Sequence, residues 1–282
     1  MLKVLKAGFF TTIQDKGRIG FASIGVPVSG VMDSYSADLA NSILNNSLKD
    51  AVLEITLGSC EFQFLEKTII CISGGDFSPT INEKKIQLNK RIVVHKNDIL
   101  SFGKVKYGLR CYLAVKRGFL SEMKLKSSSF YQNITADFII KKNDLIPFSE
   151  CKEDLSSTNT SIKIDKIHFE NPILECYKGP EFDLLNENQQ EKLVSQIFSI
   201  SKDNSRMGYK LYEVLENNLP QILTSSVLPG TVQLTPLGKL IVLMRDCQVT
   251  GGYPRVLQLS EKAINQLVQK TTYNKIQFTL ML

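Results

Sequence analysis

The 282-residue chain has no tryptophan and only two histidines, His95 and His168, placed far apart. Its six cysteines, Cys60, Cys71, Cys111, Cys151, Cys176 and Cys247, include no C-x-x-C pair. No zinc constellation can be assembled at these spacings, so no metal site is expected, and the thiols are expected to be reduced and mostly buried. No run of about 18 apolar residues occurs, so no membrane-spanning helix is encoded. Residues 1–7 alternate apolar side chains with lysine and lack the apolar stretch of about 7–15 residues that a secretory signal needs. A cytoplasmic protein without membrane contact is the expectation. Charge of one sign is also scarce: 34 basic against 28 acidic side chains leave a net +6. No basic stripe interleaved with aromatics marks a nucleic-acid surface. Generic catalytic signatures are missing too: there is no phosphate loop, no G-x-G-x-x-G, no G-x-S-x-G elbow and no H-E-x-x-H.

What is present is a globular composition, 43% hydrophobic and 22% charged, which excludes collagen-like and disordered chains. The length allows one large domain or two of about 130–150 residues. Short strand-like runs dominate: residues 2–5, 52–57, 68–72, 91–94, 99–102 and 110–115, then 231–235, 240–245, 256–259 and 275–281. Asn82-Glu83-Lys84-Lys85 reads as a hairpin turn between strands 79–81 and 86–88. Helical periodicity is confined to about 33–45, 188–198 and a segment after Ser260; Asp33 or Ser34 would cap the first and Ser260 the third. Strands outnumber helices without alternating with them, which points to a mainly β fold of barrels or sandwiches with accessory helices. The polar stretch 149–161 reads as a linker between a first module, residues 1–148, and a second, residues 162–282. Lys96-Asn97-Asp98-Ile99-Leu100 is echoed by Lys142-Asn143-Asp144-Leu145-Ile146, a sign of repeated hairpins.

Four polar, glycine-punctuated clusters carry the chemistry. The first runs Thr11-Thr12-Ile13-Gln14-Asp15-Lys16-Gly17-Arg18-Ile19-Gly20 and continues through Gly25-Val26-Pro27-Val28-Ser29-Gly30-Val31-Met32-Asp33 as a loop entering a helix. It could cradle an anion at the helix start or simply be a capped connection. The second, Ser73-Gly74-Gly75-Asp76, ends a buried strand with a turn and a carboxylate. The third joins Gly179-Pro180-Glu181 to Ser205-Arg206-Met207-Gly208-Tyr209-Lys210-Leu211; Arg206 suits a bidentate carboxylate or phosphate contact, or an internal pair with Glu181 or Asp203. The fourth, Arg245-Asp246-Cys247-Gln248-Val249-Thr250-Gly251-Gly252-Tyr253-Pro254, has the glycine density of a site held close to a ligand.

Taken in order, these clusters resemble the carboxyltransferase subdomain A/B family, whose members include allophanate hydrolase subunit 2 and the C subunit of 5-oxoprolinase. The matching positions are 12–20, 25–33, Ala40-Asn41, 53–56, 112–115, Gly179-Pro180, 205–211, 229–233 (including Gln233) and 250–254. The resemblance implies two cyclophilin-like β-barrel modules. It also implies a subunit of an ATP-dependent 5-oxoprolinase, acting with A and B subunits to open the 5-oxoproline ring to glutamate and active only in that complex. Phosphorylating the lactam oxygen would make a leaving group, which calls for cationic and amide donors around phosphoryl oxygens.

On that resemblance Asp15, Arg18, Asp33, Arg206 and Asp246 are expected to act in catalysis. Gln14, Gly17, Ser29, Gly30, Asp76, Glu181, Met207, Gly208, Gln233, Thr250, Gly251, Gly252 and Tyr253 are expected to bind substrate or nucleotide. ATP with Mg²⁺ would be bound by the complex. Two alternatives accompany this reading: a regulatory partner of the B-subunit homologue, and a biotin-dependent carboxyltransferase or allophanate hydrolase subunit. Only the latter would need biotin. The chain departs from the family pattern at Lys126-Ser127-Ser128-Ser129, where an arginine is usual, and at Cys247, where a histidine is usual. Arg117-Gly118 stands for Gly-Gly, and Asn45-Asn46 for Gly-Asn.

Overall fold

The computed structural model describes residues 1–149, 151, 162 and 164–281. Most of the linker expected over residues 149–161 lies outside the described residues. The chain divides into two compact units: Met1–Ile19 with Ser29–Lys166, and Gly20–Val28 with Ile167–Leu282.

The first unit contains β1 (Leu2–Lys6), β2 (Phe10–Gln14), α1 (Ser34–Ile43), β3 (Val52–Thr56), β4 (Glu61–Phe64), β5 (Thr68–Asp76), β6 (Thr80–Ile81), β7 (Lys84–Lys85), β8 (Ile92–Val94), β9 (Ile99–Ser101), β10 (Tyr107–Val115) and β11 (Leu145–Ile146). They form a six-stranded sheet, β11-β1-β4-β9-β6-β7, and a five-stranded sheet, β2-β3-β10-β5-β8. Alternating residues of both sheets, among them Leu2, Val4, Phe62 and Phe64 from one and Leu53, Ile55, Ile72 and Leu113 from the other, meet in one core. The opposite face of the five-stranded sheet is covered by α1, whose Ala37, Ala40 and Leu44 pack on Val52, Ile69, Cys71 and Tyr112. The helix begins where Asp33 accepts the Ser36 N–H at 3.1 Å.

In the second unit lie α2 (Ile167–Glu170), β12 (Ile173–Lys178), α3 (Glu187–Ser195), β13 (Phe198–Asn204), β14 (Gly208–Val214), β15 (Ser225–Ser226), β16 (Thr231–Leu234), β17 (Lys239–Leu243), β18 (Thr250–Gly251), β19 (Arg255–Leu259), α4 (Glu261–Leu267) and β20 (Lys275–Leu280). Seven of these strands close a barrel, β12-β19-β16-β17-β14-β13-β20, shut by the parallel β12–β20 pair. Strands β15 and β18 form a separate two-stranded ladder. Register sorts the two faces of the barrel wall. Tyr209, Val242, Val232 and Leu257 stand in one row and are fully buried inside. Lys210, Ile241 and Gln233 form the neighbouring row, which faces outward.

The mainly β class with accessory helices is therefore correct, with one closed barrel in the second unit; the first unit's strands form two sheets over a shared core. Several local expectations change. Asn82 and Glu83 both take positive φ, 47° and 67°, so the hairpin turn is these two residues alone, and Lys84-Lys85 are the returning strand. Helix α3 stops at Ser195, and Phe198 starts a strand because Phe198 and Ile200 bury alternate positions. Ser73–Asp76 is not a turn: β5 runs through it, with a bulge against β10 at Gly74, where a Cβ would lie 2.8 Å from the Arg110 carbonyl oxygen.

The sequence echo is a repeated turn. Asn97 and Asn143 take φ of 72° and 74°, and the Asp98 and Asp144 carboxylates accept from His95 N and Lys141 N at 2.8 and 2.7 Å. The two turns then bond Phe64 of β4 and Val4 of β1 in the same way, on adjacent strands of one sheet.

Candidate functional site

In the first unit the structure brings Asp15, Gly17, Arg18 and Gly30 together with Ser127, Ser128 and Ser129, while the Gln14 amide turns to Thr12 Oγ1 and Phe130 O. The Asp15 carboxylate accepts four hydrogen bonds, from Gly17 N (2.8 Å), Ser127 Oγ (2.6 Å), Ser128 N (2.6 Å) and Ser129 Oγ (2.7 Å). Here the segment that lacks the usual family arginine supplies hydroxyl and amide donors instead. Arg18 is fully buried and donates to the Ser129 carbonyl. Gly30, at φ 91°, lies where a Cβ would come 3.0 Å from Asp15 O and Gly17 N, which explains the glycine. Ser29 is buried with no partner for its hydroxyl among the described residues.

Asp33 is buried as well, and its carboxylate accepts from Ser36 N and Ser36 Oγ. Beneath it is a network of matched positions, Glu54 and Tyr112 among them, that were not expected as site residues. Glu54 accepts from Met32 N (2.7 Å) and Tyr112 OH (3.0 Å), with Arg110 Nε at 3.8 Å. Burial, then the Glu54 and Asp33 charges, push the Tyr112 phenol well up from its usual range. The available signal was an acid, Glu54, set between the apolar residues Leu53 and Ile55 in a fully buried strand. Asp76 stands apart, paired to Lys106 at 2.8 Å.

In the second unit Arg206 and Asp246 meet each other. Nε and Nη2 of Arg206 donate to Oδ2 and Oδ1 of Asp246 at 2.8 and 3.0 Å, and both residues are buried. Asp246 N also donates to Arg206 O, and Met244 N to Met207 O. The pair thereby fastens the β13–β14 hairpin tip to the turn after β17. Arg206 thus takes Asp246 as a bidentate partner, a pairing the sequence reading did not offer. Glu181 takes a bidentate pair with Arg255, at 2.9 and 2.8 Å, which holds its carboxyl below the usual carboxylate range. Asp203 lies 3.6 Å from Lys210.

Beside the Arg206–Asp246 clamp, on the outer barrel face, is a pocket of about 410 Å³. Ile241 and Leu243 of β17 are its floor, with Gln233 on one side strand and Lys210 and Gly208 on the other. Asp203, Asn204, Ser205, Met207, Gln248 and Tyr253 complete it, with Asp203 paired to Lys210 at its edge. Met207, Gly208, Gln233 and Tyr253 were expected site residues; Lys210, Ile241 and Leu243 were not. Thr250 and Gly251 belong to the small ladder, and Ile222 N bonds Gly252 O at 3.1 Å. Cys247 packs with Val227 and Leu243 behind the floor, its thiol pushed to about 12 by burial.

All six cysteines are buried and unbridged. Among the described residues no helix is long and apolar enough to cross a membrane, and no group of three or more His, Cys, Asp or Glu side chains could hold a metal ion.

The chain belongs to the carboxyltransferase domain family, subdomain A and B, which it matches over residues 24–280. It is 28% identical to the C subunit of 5-oxoprolinase from Escherichia coli (strain K12) over 275 residues, covering 95% of this chain and 87% of that protein. The corresponding subunit of Haemophilus influenzae is 25% identical over 284 residues, 99% of this chain and 90% of that protein. Urea carboxylase of Kluyveromyces lactis shares the fold over 100% of this chain, with a TM-score of 0.86 and 26% identity. This chain spans only 27% of that one.

Proposed function

We propose that the chain is the C subunit of an ATP-dependent 5-oxoprolinase, a cytoplasmic enzyme subunit that hydrolyses 5-oxo-L-proline to L-glutamate together with A and B subunits. The observation that carries this reading is reciprocal coverage: the alignment takes in 95% of this chain and 87% of the Escherichia coli subunit, so the two are equivalent in extent. Against urea carboxylase the chain corresponds to one portion of a far longer protein. The second-unit pocket holds groups that suit the substrate's chemistry: neutral amides for a ring amide, and the Lys210 ammonium, which a substrate carboxylate would take over from Asp203.

ATP is a less good fit to this chain's own residues. Arg206, the side chain best suited to a phosphate, already holds Asp246 bidentately, and Lys210, though exposed, already has the Asp203 carboxylate at 3.6 Å. We therefore assign ATP and its Mg²⁺ to the complex rather than to this pocket. When bound, ATP would supply the phosphoryl group that activates the lactam oxygen. The part of this chain is to bind and orient the ring.

Because urea carboxylase shares the fold over the whole chain, biotin-dependent carboxyl transfer is the second reading. The test measures glutamate release from 5-oxoproline and ATP by this chain alone and with its A and B partners. Release only by the full set is the expected result. A complex that assembles and releases none overturns the reading; carboxyl transfer from a biotinylated carrier would then favour the second one. Regulation of the B-subunit homologue without turnover would point to the non-catalytic alternative.

A further inference from the structure

We propose that the outer-face pocket of the barrel recognises the cis-amide edge of a cyclic amide, that Gln233 is the residue reading that edge, and that this binding needs no other subunit. The inference rests on the reading above for its choice of ligand, but its evidence is separate.

Gln233 lines the pocket while being 2% exposed, and its Nε2 has no hydrogen-bond partner among the described residues. A buried amide donor left unmet is costly, and a ligand acceptor reaching it from the pocket would recover that cost. The amide is also closely confined, because a Cβ on Gly251 would lie 2.4 Å from Nε2. Glycine is thus the residue that lets the β18 backbone lie against it.

A carboxamide presents a donor and an acceptor side by side. Its complement is a group with an acceptor and a donor on one edge, the geometry by which Gln or Asn reads adenine. A trans amide points its N–H and C=O in opposite directions, whereas a lactam or cyclic ureide is locked cis and shows both on one edge. The pocket's remaining features suit such a ring: an apolar floor of Ile241 and Leu243, and Lys210 across the floor from Gln233 in the same outward-facing row. An exocyclic carboxylate opposite the amide edge would face that ammonium and replace Asp203, an exposed acid 3.6 Å away, as its partner.

The test is ligand-observed NMR and calorimetry on the full chain alone. The probes are 5-oxo-L-proline, its N-methyl derivative, 2-pyrrolidone, and N-acetylalanine, which has a trans amide and the same carboxylate. We expect 5-oxoproline to bind. The N-methyl and open-chain probes should bind about 10- to 100-fold more weakly. Gln233→Met should erase this discrimination, while Lys210→Met should weaken 5-oxoproline but leave 2-pyrrolidone unchanged. Should Gln233→Met misfold by circular dichroism, Gly251→Ala moves the same amide and gives the same reading. Equal binding of the lactam by wild type and a folded Gln233→Met overturns the assignment, as does an absence of binding to the chain alone. If the reconstituted complex turns over 5-oxoproline while the lone chain does not bind it, this inference fails and the enzymatic reading stands. Lactam binding through Gln233 without turnover by any complex gives the reverse.

Discussion

Replacing Arg206 by alanine separates a catalytic role from a positioning one. Arg206 and Asp246 are buried, with side chains 9% and 12% exposed, and joined by two hydrogen bonds of 2.8 and 3.0 Å. Taking away one member of such a pair leaves a desolvated charge, at a cost of about 3–5 kcal/mol. Removing both leaves no orphan charge, so the double variant Arg206→Ala with Asp246→Ala should lose much less than the sum of the two single variants. Each single replacement should lower the unfolding midpoint of the second unit by roughly 10 °C, at a few degrees per kcal/mol. The assay is thermal and urea unfolding of the four proteins, with glutamate release by the reconstituted complex measured alongside. Singles within about 1 kcal/mol of wild type, or strictly additive losses, would refute the clamp. So would an Arg206→Ala protein of wild-type stability that is inactive, which would return the arginine to the chemistry.

Three further outcomes are expected. Glu181 has its folded carboxyl held below 4.5, first by the Arg255 hydrogen bond. Its contribution is therefore present above the unfolded value and lost as pH falls below about 4.5 through the lower folded value; Glu181→Gln should flatten that acid limb in pH-dependent unfolding, and an unchanged limb would rule the pair out as its source. Burial pushes the thiols of Cys60, Cys71, Cys176 and Cys247 to about 12, so none should be alkylated by iodoacetamide at pH 8 before unfolding, as peptide mass mapping would check. Two glycine-to-alanine changes should diverge: at Gly179 the new Cβ lies 2.1 Å from the Arg255 carbonyl oxygen, which cannot yield, whereas at Gly251 it meets the end of the Gln233 side chain, which can be pushed aside by a χ rotation. Gly179→Ala should unfold well below wild type, while Gly251→Ala should keep its melting temperature and lose the discrimination between the lactam and its N-methyl derivative.

Much of the fold was legible because burial in a β protein leaves a period-two imprint. Residues 275–281 alternate in sequence, and Ile276 and Phe278 are buried in β20 while Lys275 and Thr279 are exposed. The repeated Lys-Asn-Asp turn was legible for a similar reason, since one backbone geometry needs an Asn at positive φ and an Asp to accept the turn's N–H. Strands β13 and β14 were not legible. Their outer ends carry Lys202, Asp203 and Lys210, which mimic a loop, and the apolar positions that bind them to the barrel are few. Closure of the barrel was out of reach for another reason: it depends on β12 pairing with β20, at the far end of the unit, and no local pattern encodes that.

The site was legible in composition but not in role, and the reason is electrostatic. Glycine and charge crowded together mark places where backbone approaches closely, so the clusters around Asp15, Arg206 and Thr250 could be found by inspection. Which charges remain available to a ligand depends on pairing across strands. Arg206 with Asp246 and Glu181 with Arg255 satisfy each other, at distances fixed by register between segments 40 and 74 residues apart. Charged groups buried in a barrel wall must find such partners because an unpaired buried charge is the more expensive state. A neutral amide is under weaker compulsion. The unmet donor at Gln233 therefore carries more information about a ligand than the conspicuous arginines nearby, and it is visible only once the paired charges have been accounted for.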